Sequence, residues 1–165
     1  DMMEKGEVDT ICDLSLDEDL QISYVSPGPN LTTLPDFITH PRTMIGTDAV
    51  LLGEYPNPRS YGTFPTILAE YVREEGRLTL EEAIRKMTFM AAHRLDIRER
   101  GMLRDGMKAD IVVFDPQTVK SPSTVRDPKQ FPIGIEYVLV NGRIVVDQGQ
   151  HTGVLAGRGL RHGRA

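Results

Sequence analysis

The chain has 165 residues, 39% of them hydrophobic, and a formal net charge of -5. That is enough to bury one core, with no basic run suited to a nucleic-acid face and no apolar run near the roughly 18 residues of a membrane span. Cys12 is the single cysteine, which excludes an internal disulfide and fits a reducing, cytoplasmic setting.

Residues 7 to 16 place Val8, Ile11, Cys12 and Ser15 on one side at helical spacing, which predicts a short amphipathic helix. Leu20 to Val25 alternates and is rich in β-formers, so a strand is expected there, broken by Pro27-Gly28-Pro29-Asn30. Thr33 can cap a short helix with Pro35 in its first turn and Phe37 and Ile38 buried. His40-Pro41 ends it, because a residue before proline is pushed out of the helical region. Met44 and Ile45 read as a short buried strand. Strand, helix and strand within about 25 residues then predict a parallel pair.

That second strand ends in Thr47-Asp48. A parallel α/β strand that ends in an acid delivers it to the site region. Asp48 is therefore either a proton acceptor at the mouth of a site or the cap of the next turn. Gly46 permits close approach to the backbone.

Thr63 precedes a helix with Pro65 in its first turn, an apolar stripe at Ile67, Leu68, Tyr71 and Val72, and a stop at Gly76. Thr79 and Glu82 form a capping box. Behind it, one helix carries Leu80, Ala83, Ile84, Met87, Met90 and Ala91 on one face, with the methionines filling core. His93 near its end suits the helix dipole.

The character changes at Gly101. Gly101 to Gly106 is turn-rich, Ala109 to Pro116 is a strand flanked by acids, and a polar loop runs from Gln117 to Pro132. Ile135 to Val140 and Arg143 to Val146 flank Asn141-Gly142, the signature of a two-residue type I′ hairpin. An antiparallel β unit therefore follows an α/β half.

Met44-Ile45-Gly46-Thr47-Asp48, Pro56-Asn57-Pro58-Arg59 and Tyr61-Gly62-Thr63-Phe64-Pro65 together resemble the late part of the amidohydrolase superfamily, and within it the N-acyl-D-amino-acid deacylases (D-aminoacylases). Gly101-x-Leu103-x-x-Gly106-x-x-Ala109-Asp110-Ile111-Val112-Val113-x-Asp115 and Val140-Asn141-Gly142 are similar to the same superfamily. The resemblance runs from about Leu14 to Thr152. It implies the last units of a (β/α)₈ barrel over 1–100, part of a small β-sandwich over 101–156, and a basic Gly-rich tail over 157–165.

The resemblance further implies a zinc-dependent hydrolase acting on linear amide bonds. Asp48 would be the general base to a metal-bound water and would share in holding the metal. Arg59 would hold the substrate's carboxylate through a guanidinium fork; by composition alone it is a solvated loop arginine. The chain departs from the family at Thr47-Asp48-Ala49, where close relatives often carry Ser-Asp-Gly. Its histidines are His40, His93, His151 and His162, so the family's His-x-His is absent. A (β/α)₈ barrel takes about 250 residues. The expectation is thus the C-terminal portion of an enzyme, with the other metal ligands outside this chain. Such a piece would pair with the missing N-terminal part or self-associate. Its substrate would be a small N-acyl amino acid, with no nucleic acid or membrane involved. A cyclic-amide hydrolase related to hydantoinases or dihydroorotases, and a non-catalytic truncated module, are the alternatives.

Overall fold

The computed structural model describes residues 5–20 and 32–160. The strand expected over 20–25 therefore lies almost wholly outside the described residues, and its parallel pairing lies outside them too. The chain divides into two compact units, Asp1–Asn30 and Leu31–Ala165. No helix of the described residues is long and apolar enough to cross a membrane.

In the first unit, α1 spans Glu7–Asp17. Glu7 and Asp9 place negative charge at its N-terminus, where the helix dipole favours it. Val8 and Ile11 of the expected apolar side are exposed.

The second unit begins with α2, Leu34–Thr39, with Pro35 in its first turn. Thr33 occupies the N-cap position, but its side chain makes no capping bond; its carbonyl instead accepts from Asp36 and Phe37 N–H. Ile38 packs against the core, whereas Phe37 is exposed. The helix stops at His40, whose ψ of 131° is extended, as the following proline requires.

Residues 43–50 form neither helix nor strand. The Met44–Ile45 strand expected from the apolar pair is thus absent. The backbone there bonds to a helix end: Ile45 N–H donates to the Lys86 carbonyl at 3.3 Å. Ile45 is buried and Met44 is not.

Helix α3 spans Arg59–Thr66, so it starts five residues before the helix expected to follow Thr63. Asn57 decides this start: its Oδ1 accepts the Arg59 N–H at 3.0 Å. Thr63 lies inside the helix, its hydroxyl donating back to the Arg59 carbonyl at 2.8 Å. Pro65 is therefore an interior proline without an N–H to give. The chain continues directly into a π-helix, Ile67–Glu74, whose wider turns follow that break. Ile67, Leu68 and Tyr71 of the expected stripe are buried, and Gly76 leaves the helix at φ +61°.

Helix α4 spans Leu80–Met87, and Thr79 caps it by accepting the Glu82 N–H at 3.2 Å. The Glu82 carboxylate pairs with Arg85 rather than closing the box. The single long helix expected here is broken at Thr88 (φ -125°, ψ -82°), and α5, Phe89–Arg94, follows.

The sheet is an antiparallel meander of β1 (Ile111–Phe114), β2 (Ile135–Val140), β3 (Arg143–Asp147) and β4 (Gln150–His151), in that order. Val140 pairs with Arg143, and Asn141 and Gly142 both take positive φ, 50° and 78°, as a type I′ turn requires. Gln148 (φ 46°) and Gly149 (φ 76°) join β3 to β4 in the same left-handed sense.

One core joins helices and sheet. Ile45, Ile67, Leu68, Tyr71, Leu78, Ala83 and Val119 are buried in it, and Met87, Phe114 and Ile135 pack around them. Val119 brings the 117–132 loop into this core. Gly134 lies against it so closely that a Cβ there would meet the Val119 nitrogen at 2.7 Å.

Candidate active site

Asp48 sits in the irregular stretch between α2 and α3, in the left-handed region at φ +47°. Aspartate tolerates this conformation better than most residues, and left-handed non-glycine residues cluster at functional sites. Its side chain is 85% exposed. Arg59 starts α3 and grips Asp48 at two points: Nη2 is 2.8 Å from Oδ2, and Nε donates to the Asp48 carbonyl at 3.2 Å. Sequence reading named both residues; the structure brings them together as a pair.

The start of α3 is itself braced. Ser60 Oγ donates to the Val50 carbonyl at 3.2 Å, closing the loop between Asp48 and Arg59. Ser123 Oγ donates to the carbonyls of Pro128 and Pro58, at 2.7 and 3.4 Å. A side chain at Gly62 would collide with Ser121, so only glycine fits where the 117–132 loop crosses the helix. Tyr61 meets Phe131 edge-on at 6.0 Å.

On the far side of the stretch, Lys86 has no exposed surface. Burial pushes its ammonium pKa down, Glu82 opposing this and Arg85 adding to it. Lys86 went unnamed in the sequence reading. The signal was available: it stands one turn from Ala83 and one from Met90, on the face already assigned to the core.

The described residues do not make a metal site. No three His, Cys, Asp or Glu side chains converge among them. His40 Nδ1 accepts from Arg42 N–H, His151 Nδ1 accepts from Gly153 N–H, and His93 stacks on Phe89 at 5.4 Å. Asp48 is the acid the sequence motif names for this site, and Arg59 already engages one of its oxygens. Hollows of about 140 Å³ beside Phe89 and Met102 and about 460 Å³ beside Asn141 and Arg158 include neither Asp48 nor Arg59 in their walls.

The motif residues of the β unit form a second constellation. Arg100 Nη1 donates to Asp110, and its Nη2 donates to Asn141 Oδ1 at 2.6 Å. Asn141 N–H donates to Asp110 Oδ1 at 2.8 Å, and Asn141 Nδ2 donates to the Ala156 carbonyl at 2.8 Å. Burial raises the Asp110 carboxyl, but the Asn141 N–H and then the hydrogen bond and charge of Arg100 outweigh it and leave the group below the usual carboxylate range. This network ties the hairpin turn to the start of β1.

The amidohydrolase family model covers residues 3–146. The chain belongs to the amidohydrolase family. It is 40% identical over 151 residues to an N-acyl-D-aspartate deacylase of Alcaligenes xylosoxydans xylosoxydans, covering 88% of this chain and 30% of that protein. A solved D-aminoacylase, described by the role of its binuclear metal centre, superposes with a TM-score of 0.73 at 41% identity over 75% of this chain and 26% of its own. An N-acyl-D-glutamate deacylase from Bordetella bronchiseptica, complexed with zinc and a phosphonate mimic of the tetrahedral intermediate, superposes with a TM-score of 0.66 at 38% identity over 74% of this chain and 27% of its own. This amidohydrolase chain thus spans less than a third of the length of the relatives it matches.

Proposed function

We propose that this chain is part of a metal-dependent hydrolase that removes the acyl group from N-acyl-D-amino acids, with Asp48 as the general base. The observation that supports this most directly is the Asp48–Arg59 pair, in a chain whose relatives are named for deacylation of N-acyl-D-aspartate and N-acyl-D-glutamate. In this reading a water attacks the amide carbonyl carbon and Asp48 takes its proton on Oδ1, the oxygen Arg59 leaves open. The tetrahedral intermediate then expels the nitrogen. Asp48 returns the proton to that nitrogen, so the products are a carboxylate and a free amino acid. Arg59 exchanges its bond to Asp48 for the substrate's carboxylate, a planar fork matched to two parallel oxygens.

Metal dependence is carried by the neighbours' zinc and binuclear centres, and zinc is the ion proposed. The described residues do not by themselves make a metal site, and the ligands other than Asp48 are assigned to residues outside them. Residues 1–100 are assigned to the last barrel units and 101–156 to a sandwich segment. The antiparallel sheet, which begins at Ile111, supports the sandwich assignment.

The test is enantiomer and ring specificity in the active protein that contains this chain. N-acetyl-D-amino acids should turn over, with the L forms and cyclic amides inert. Turnover of a hydantoin or dihydroorotate in preference to the D-acyl substrates would replace this reading with the cyclic-amide one.

A further inference from the structure

Lys86 is fully buried, and among the described residues it forms no ion pair. A sealed ammonium with no ion-pair partner is costly unless hydrogen bonds offset its lost hydration. Lys86 Nζ donates to the Thr43 carbonyl at 2.9 Å and to the His40 carbonyl. Its own carbonyl accepts the Ile45 N–H, and Arg85 Nη2 reaches the Pro41 carbonyl at 3.5 Å. The last turn of α4 therefore holds residues 40–45 through two side chains and a backbone bond. Three residues beyond Ile45 stands Asp48. Between Ile45 and Asp48 the stretch has neither strand partner nor helix to fix it.

We propose that Lys86 is a positioning residue for Asp48: its ammonium clasps the carbonyls of His40 and Thr43 and so fixes the segment that presents the Asp48 carboxylate. This rests on Asp48 being the proton acceptor. A lysine that merely fills space would be replaceable by methionine, which has nearly its length and no donors.

The test is a double-mutant cycle in the active protein that contains this chain, using Lys86→Met, Asp48→Asn and both together. Lys86→Met should lower kcat roughly 10- to 100-fold, the scale of a misplaced catalytic group, and change KM less than about 2-fold. In the Asp48→Asn background the same change should cost less than about 3-fold, because residues that act as a unit are non-additive. Equal losses in both backgrounds would overturn the proposal, as would a folded Lys86→Met that keeps more than about half of kcat. Asp48→Asn with near-normal kcat would instead remove the proton-acceptor reading, and the proposal with it. Should Lys86→Met not fold, the unaltered chain decides. Nuclear magnetic resonance should show slowly exchanging Lys86 ammonium protons with scalar couplings from Nζ to the His40 and Thr43 carbonyl carbons. Absence of both couplings overturns the clasp.

Discussion

Arg59 holds Asp48 twice, by carboxylate and by backbone carbonyl, with Nη2 2.8 Å from Oδ2 and Nε 3.2 Å from the carbonyl oxygen. The two contacts have different consequences. The carboxylate contact is solvent-exposed on both sides, the side chains being 48% and 85% accessible. Such a pair contributes roughly 0–1 kcal/mol, so an incoming carboxylate can displace it. In the proposed reading the carbonyl contact would outlast that exchange and keep Arg59 beside Asp48.

Arg59→Lys follows from this geometry. Lysine keeps the charge and loses the fork. For free-acid substrates kcat/KM should fall by about 2 kcal/mol, near 30-fold. Substrates with an amidated carboxylate should start poor and lose little more. Equal losses on both types, from steady-state kinetics, would make Arg59 a brace for Asp48 alone.

Gly142 should not tolerate a side chain. Its φ of 78° lies where a β-branched residue is strained, so Gly142→Val should destabilise the protein by about 1 kcal/mol or more. Denaturant titration of the two proteins gives the difference. An unchanged midpoint would mean the turn relaxes to another type.

Asp110 predicts an acid-labile component of stability. Its folded carboxyl lies below the ordinary value of 3.8, so its contribution is complete well above that pH. It is lost as the pH falls through the folded value. Asp110→Asn keeps an acceptor for Asn141 N–H but loses the ion pair with Arg100. The variant should melt lower at pH 7 and show a smaller further drop between pH 5 and pH 2. Parallel melting curves across that range would refute the assignment.

Residues 1–165 alone should hold no stoichiometric zinc, because the described acids and histidines do not converge. Elemental analysis after dialysis against a weak chelator measures this. One firmly held zinc per chain would mean that this chain supplies more ligands than Asp48.

What the sequence disclosed follows how local the chemistry is. Asn141-Gly142 was legible because two adjacent residues determine a type I′ turn, and Thr79 because a cap involves only its own first turn. The start of α3 was not, since Thr63 and Pro65 imitate a helix start that Asn57 had already supplied. Met44-Ile45 looked like a strand because a short apolar pair carries no period. Its partner proved to be a helix end 41 residues on, the Lys86 carbonyl. Asp48 was named from an apolar run that ends in an acid and Arg59 from motif resemblance, but their contact depends on a left-handed residue that no propensity for aspartate would require. Lys86 was hidden by its charge, although its helical position matched the buried face.

The most direct measurement is a pH–rate profile of Asp48→Asn against the unaltered active protein on an N-acyl-D-amino acid, with metal content checked in both. Asparagine preserves the shape and can still accept one bond from Arg59, but it cannot take a proton from water. The account predicts a fall in kcat of roughly 10²- to 10⁴-fold with KM little changed, and loss of the acidic limb of the profile. A variant with full metal content, an unaltered acidic limb and more than about a tenth of the parental kcat would contradict it and leave Asp48 as the cap of a turn.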